Sequence, residues 1–326
     1  MSPAATAMLD ELVPEPFEPH DVATLMFIIR GGEVLLIRKL RGLGAGKINA
    51  PGGRTEPGET LEEAAVRETV EEVGVRPLAP RRRGRLRFAF VDGYLLECHV
   101  FSADGCEGEA RPSPEAIPRW TALDAIPYPE MWADDALWVP LLLSGRTPFA
   151  GRFVFDGDRM LASRLEARDP AEAVFARLDD LGIAHRTVSH PPVFTVPQAK
   201  AVRAGDAGRH TKNLFLRDKK GRMWLAVLDE DRAVDLDSLA GHLGARRLSF
   251  GSPARLRRHL GVEPGSVTPL AALQDASGDV QVVLDRALAV SPEVHCHPLT
   301  NDRTTALSGP DLVRFLRATG HPPTLL

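Results

Sequence analysis

Glu68, Glu71 and Glu72 stand at positions i, i+3 and i+4 of a stretch that reads as a helix, which puts three carboxylates on one face. Like charges at that spacing destabilise a helix unless something binds between them. Hard divalent cations take oxygen ligands and share them with substrate phosphates, so the chemistry suggested is a divalent metal ion held between these carboxylates and a phosphate. The surrounding order is Gly53-x5-Glu59-x7-Arg67-Glu68-Thr69-x-Glu71-Glu72-x-Gly74-Val75. Gly53 ends a loop whose backbone can approach a diphosphate, Gly58 allows the turn before the helix, and Gly74 suits its stop. An acidic solvated helix face is the competing reading of ExxEE by itself. Here the glycines, the arginine and the acids coincide over 23 residues.

A second set of reactive types lies in the other half of the chain. Lys212 and Asn213 precede an apolar run, Leu214 to Leu216, and a lysine at the start of a buried strand is costly unless it faces a pocket or an anion. The run Gly265-Ser266-Val267-Thr268-Pro269 can present backbone N–H and C=O groups to a small ligand. His295-x-His297 has no cysteine or acid at a matching metal-ligand distance in sequence.

The elements that must position these groups read as follows. Val22 to Ile29 and Glu33 to Arg38 form a hairpin across Gly31-Gly32. A Gly-rich loop from Gly42 to Gly53 leads to a helix over Thr60 to Val73, and Phe88 to Phe90 and Leu95 to Phe101 are strands joined at Asp92-Gly93. Ala133 to Leu143 is helical, and the polar stretch Asp156 to Pro170 holds a domain boundary. Beyond it, helices are expected over Pro170–Leu181, Leu236–Leu243, Pro253–Leu260 and Gly309–Thr319, with strands at Leu214–Leu216, Trp224–Leu228 and Val280–Leu284. Strands and helices alternate in both halves, so α/β or α+β is expected twice.

Length and composition agree. At 326 residues two domains are the better expectation, and 44% hydrophobic residues can bury a sizeable core, which excludes disorder for most of the chain. The three cysteines are scattered with no CxxC spacing, against a disulfide scaffold or structural zinc. No apolar run reaches a membrane span, and no signal peptide is evident, so a cytoplasmic protein without membrane partners is expected. The net charge of −4 divides unevenly: residues 1–167 hold 19 Lys and Arg against 26 Asp and Glu (−7), residues 168–326 hold 21 against 18 (+3).

The first motif resembles the Nudix box, GX5EX7REUXEEXGU with U aliphatic, departing only at Thr69. The resemblance implies a Nudix α/β/α sandwich over residues 1–160 (core about 22–156) and hydrolysis of a nucleoside diphosphate derivative. It implies a metal site of Glu68, Glu71, Glu72 and the Gly53 backbone for Mg²⁺, with Mn²⁺ as the alternative ion. Glu71, Glu72 or Glu115 would take the proton, and Arg67 would pair with Glu59 or Glu63 to hold the loop. GLGAGKINAPGGR (42–54) and PYPEMWADDALWVPLLL (127–143) are similar to hydrolases of the 8-oxo-dGTP diphosphatase type. That likeness implies that Asn49, Trp132, Asp134 and Asp135 read the base, Trp132 by stacking and the aspartates by sharing a proton.

HPPVFTVPQAK (190–200), HTKNLFLRDKKGR (210–222), LSFGSP (248–253), GSVTP (265–269) and HPLTNDRTT (297–305) resemble the YbaK/ProX aminoacyl-tRNA deacylases, with closer likeness to freestanding prolyl-tRNA editing proteins. The resemblance implies a mixed α/β domain over residues 168–326 that hydrolyses mischarged tRNA, with alanyl-tRNA for proline as the expected substrate and no cofactor. Lys212 would be essential, Asn213 and His297 would line the site, and Gly265, Ser266, Val267, Thr268 and Pro269 would hold the aminoacyl group. The expected partners are a nucleotide and tRNA, with the oligomeric state left open. Two alternatives stand: another nucleoside diphosphate derivative as the first substrate, and a second domain that only binds tRNA.

Overall fold

Thr60 begins the helix that carries the three glutamates (Leu61–Val73). Its hydroxyl accepts from Glu63 N–H at 3.2 Å while the Glu63 carboxylate takes the Thr60 N–H at 2.8 Å, a reciprocal cap that satisfies two otherwise orphaned donors. Gly74 stops it at φ 75°, its N–H bonded to Val70 O. Thr69 is fully buried and its hydroxyl donates to Ala65 O at 2.7 Å, so the departure from an aliphatic residue leaves no unsatisfied group. The computed structural model describes residues 3–193 and 208–326, so residues 194–200 of the stretch HPPVFTVPQAK lie outside the described residues.

The chain divides into two units, Met1–Arg168 and Asp169–Leu326. In the first, the sheet runs Arg159–Ala167, Phe149–Asp156, Arg81–Phe90, Leu95–Ala103, Asp21–Arg30, Glu33–Lys39 and Ile48–Asn49, with Ala116–Ala122 also on Glu33–Lys39. Alternate residues of Asp21–Arg30 serve opposite layers. Met26 and Ile28 pack with Ala65 and Val73 of the glutamate helix, while Phe27 meets Trp138 of the helix Asp135–Ser144 at a ring distance of 5.5 Å. The result is α/β/α. The hairpin partners share only Ile29–Val34 and Arg30–Glu33, and the opening beyond is filled by the Gly-rich loop: Thr24 N–H bonds Gly53 O and Met26 N–H bonds Pro51 O, both at 2.8 Å.

Four features depart from the expectation. The strand foreseen at Phe88–Phe90 starts at Arg81, so the arginine run is a paired strand. The polar stretch from Asp156 contains the strand Arg159–Ala167, antiparallel to Phe149–Asp156, so the first unit continues past residue 160 to Arg168. Alternation with arginines on one face masked both strands. A helix over Pro3–Leu12 buries Leu9 against Val154 and Ala162. In the second unit Lys212 lies inside a strand, Arg209–Arg217, rather than at its start.

The second unit has the order Arg186–Ser189, Arg303–Leu307, Val294–Cys296, Arg209–Arg217, Met223–Asp229, Val280–Leu284 and Thr324–Leu325. Leu225 and Val227 face one core with Leu256 and Phe315; Trp224, Ala226 and Leu228 face another with Leu239 and Ala240. A central strand covered on both faces reads as a continuous apolar run. No helix among the described residues is long and apolar enough to cross a membrane.

Candidate active sites

A cavity of about 460 Å³ in the first unit collects Asn49, Gly53, Glu68, Glu72, Glu115, Trp132, Asp134 and Asp135 along its walls. Glu72 is 1% exposed; its Oε2 accepts Gly52 N–H at 2.8 Å and its Oε1 lies 3.4 Å from Lys39 Nζ. Burial raises its proton affinity, and Lys39 opposes that. Glu68 presses on Gly53 so closely that a Cβ there would stand 2.5 Å from the carboxylate. Arg67 ties the region together. It donates to both Glu59 oxygens at 2.7 and 3.1 Å, to Arg54 O, to Glu68 at 2.9 Å and to Glu71 at 3.0 Å, whereas Glu63 serves the helix cap.

Two of the residues expected at a metal are placed differently. Glu71 is 58% exposed at its side chain, pairs with Arg67 and does not line the cavity. The Gly53 carbonyl accepts Thr24 N–H, while the Gly52 carbonyl lies 3.3 Å from Lys39 Nζ, on the Glu72 side. Glu68, Glu72 and Gly52 line the cavity, and their oxygens are hard donors of the kind a hard divalent cation takes. Glu115 reaches the cavity from its loop and is paired with Arg41.

Asp134 and Asp135, which line the same cavity, are each 2% exposed. Asp134 Oδ2 accepts from Trp138 Nε1 at 2.9 Å, its Oδ1 has no partner among the described residues, and Asp135 Oδ2 accepts Trp132 N–H at 3.0 Å. Burial pushes Asp134 up to about 6 and Asp135 well above the ordinary carboxylate range, the Asp134 charge adding to the latter. Half-buried Trp132 has Phe155 edge-on at 5.6 Å and the Lys47 ammonium 4.9 Å from its ring centre. Lys47 is in turn held by Asp158 at 3.0 Å. Asn49 Oδ1 accepts Ala50 N–H at 2.8 Å.

In the second unit the Lys212 ammonium donates to the carbonyls of Glu230 (3.0 Å) and Arg232 (2.5 Å). Asn213 Nδ2 donates to Val267 O at 2.9 Å, joining the strand to the Gly265–Pro269 loop, and its Oδ1 has no partner among the described residues. Ser266 is 1% exposed with its Oγ likewise unpartnered, and buried Thr268 accepts Leu270 N–H at 3.3 Å. Gly265 takes φ 93°. His297 Nδ1 is bonded to Arg303 O at 2.8 Å, its ring 6.1 Å from that of His190. His295 pairs with Glu293 at 2.8 Å.

Residues 19–142 match the model of the NUDIX domain, and residues 190–315 match that of the aminoacyl-tRNA editing domain. Over 135 residues, 41% of this chain and 86% of the relative, the sequence is 44% identical to the oxidized purine nucleoside triphosphate hydrolase of Danio rerio. Over 154 residues, 47% of this chain and 94% of the relative, it is 38% identical to the prolyl-tRNA editing protein ProX of Acetoanaerobium sticklandii. The chain belongs to the Nudix and the aminoacyl-tRNA editing families. Both are hydrolytic, and Nudix hydrolases generally use divalent metal ions.

The Nudix match ends at residue 142, yet Phe149–Asp156 lies in parallel register beside Arg81–Phe90 within the same sheet, and Phe155 lines the cavity. Sequence reasoning missed Lys39, Arg41, Lys47 and Asp158. The available signal was a cluster of basic residues around the Gly-rich loop; for Asp158 there was none, because its partner Lys47 comes from a distant turn. In the editing domain it missed the carbonyls that hold Lys212, which no side-chain pattern can encode.

Proposed function

We propose that the Nudix domain hydrolyses an oxidised purine nucleoside triphosphate such as 8-oxo-dGTP to the monophosphate and diphosphate. The observation that carries this reading is the buried pair Asp134–Asp135, which lines one cavity together with Trp132, Asn49, Glu68 and Glu72. Two adjacent buried carboxyls do not both ionise readily, so one keeps a proton to donate to a purine oxygen while the other accepts from a ring N–H. Trp132 stacks on the base, and Asn49 offers a donor and an acceptor. Glu68, Glu72 and Gly52 O would hold Mg²⁺ or Mn²⁺, which supplies charge neutralisation at the phosphates and Lewis acidity toward water. Lys39 and Arg41 bring positive charge to the phosphate end, Arg67 fixes the loop against the helix, and Glu115 or Glu72 accepts the proton of the attacking water.

The editing domain, on the same proposal, cleaves the ester of a mischarged tRNA, with alanyl-tRNA for proline as the substrate. Lys212, held in one place by two carbonyls, positions the terminal adenosine by its phosphate or polarises the ester. Asn213 fixes the loop that grips the aminoacyl group, and water, activated by the 2′-hydroxyl of the tRNA, attacks.

The test is diphosphate release from 8-oxo-dGTP with Mg²⁺. Glu72→Gln is expected to lower turnover at least 100-fold and Glu71→Gln much less; full activity in Glu72→Gln defeats the Nudix reading. Deacylation by the wild type and its loss in Lys212→Ala separates an editing enzyme from a tRNA-binding module.

A further inference from the structure

Three arginines stand side by side across three strands of the Nudix domain. Arg164 lies opposite Arg152, and Arg152 opposite Arg87. Like charges in register repel, and carboxylates surround the row: Glu97 at 2.9 Å and Glu15 on Arg87, Asp10 at 3.4 Å on Arg152, and Glu166 at 3.0 Å on Arg164. One row along, Arg85 lies between Ala150 and His99, and no carboxylate pairs with it among the described residues. The short side chain of exposed Ala150 leaves a concavity of about 270 Å³, lined by Arg85, Arg87, Arg152 and Arg164 together with Glu15 and with Glu166, which lies opposite Ala150.

Three of the four counter-carboxylates are weak holders. Glu15, Asp10 and Glu166 are 65%, 60% and 68% exposed, and exposed pairs contribute little. A phosphate group, by contrast, offers several oxygens to guanidinium forks and is bound in bidentate fashion. Neighbouring His99 feels the arginines: after burial, Arg82 and Arg85 help hold it below its ordinary value, against the pull of Glu97. Three strands span roughly 10 Å, the reach of a short polyphosphate rather than of a nucleic-acid track.

We propose that this groove binds a compact multivalent oxyanion of the diphosphate class, at a site that shares no residue with the nucleotide cavity. Free diphosphate and the polyphosphate of a nucleotide present the same chemistry. Titration calorimetry of the full chain in EDTA, with inorganic diphosphate as probe, tests the site without metal-dependent binding. Arg85→Gln and Ala150→Leu are each expected to weaken binding at least tenfold, whereas Glu72→Gln leaves it unchanged. Ala150→Leu fills the groove from an exposed position, so it decides the matter even where Arg85→Gln folds poorly. A nucleoside diphosphate that competes with equal affinity marks nucleotides as the source; preference for the inorganic ion marks the free anion. Equal affinity in all variants, loss only in Glu72→Gln, or binding of tRNA but not of diphosphate overturns the proposal.

Discussion

Asp134 illustrates how a single side chain's surroundings set its behaviour. Its folded proton affinity, raised to about 6 from 3.8 by burial, means that the folded state binds the proton more tightly than the unfolded chain. Its contribution to stability is therefore complete below pH 3.8 and is lost as the pH rises through about 6. Asp134→Asn, neutral throughout and able to accept from Trp138, removes that charge from beside Asp135, so the decline should be shallower but not absent, Asp135 still being raised by its own burial; denaturant unfolding of both proteins across this range measures it. Gly53 makes a second case. Alanine there must displace the Glu68 carboxylate, which is the far end of a flexible side chain, so Gly53→Ala should unfold within about 1 kcal/mol of wild type. It should nonetheless bind Mn²⁺ more weakly, as read by electron paramagnetic resonance. The motif spacing put Glu68, Glu71 and Glu72 on one helical face, but the greater exposure of Glu71 was not legible, because helical spacing does not say where the neighbouring loop will cover that face.

At the scale of elements, the glutamate helix was legible at both ends, since Thr60, Glu63 and Gly74 are local signals whose hydrogen bonds form within a few residues. Thr60→Ala should lower stability by about 1 kcal/mol, visible as a lower melting temperature of the Nudix domain with the cavity intact. The strands Arg81–Phe90 and Arg159–Ala167 escaped notice because arginines on one face of a strand look like a solvated loop in sequence. Only their cross-strand partners show them as paired sheet. Lys212 was expected to face a pocket or an anion; in the structure its ammonium is held by the backbone at Glu230 and Arg232, beside the antiparallel pairing with Met223–Asp229.

At the scale of the whole molecule, each unit has cores of its own. A chain divided between Arg168 and Asp169 should yield two folded fragments, the first retaining nucleotide hydrolysis and the second deacylation, as circular dichroism and the two assays would report; a fragment ending at residue 160 should melt lower, having lost most of the strand Arg159–Ala167. The sequence by itself determined two families, the glutamate helix with its glycine stop, and the acidic and basic halves, because those signals reside in residues close along the chain. The tertiary structure alone decided that Asn49, Trp132 and Asp134 share a cavity with Glu72, that Asp158 holds Lys47, and that Arg164, Arg152 and Arg87 form one row. Those meetings depend on sheet register and loop closure between distant segments, which no local spacing specifies.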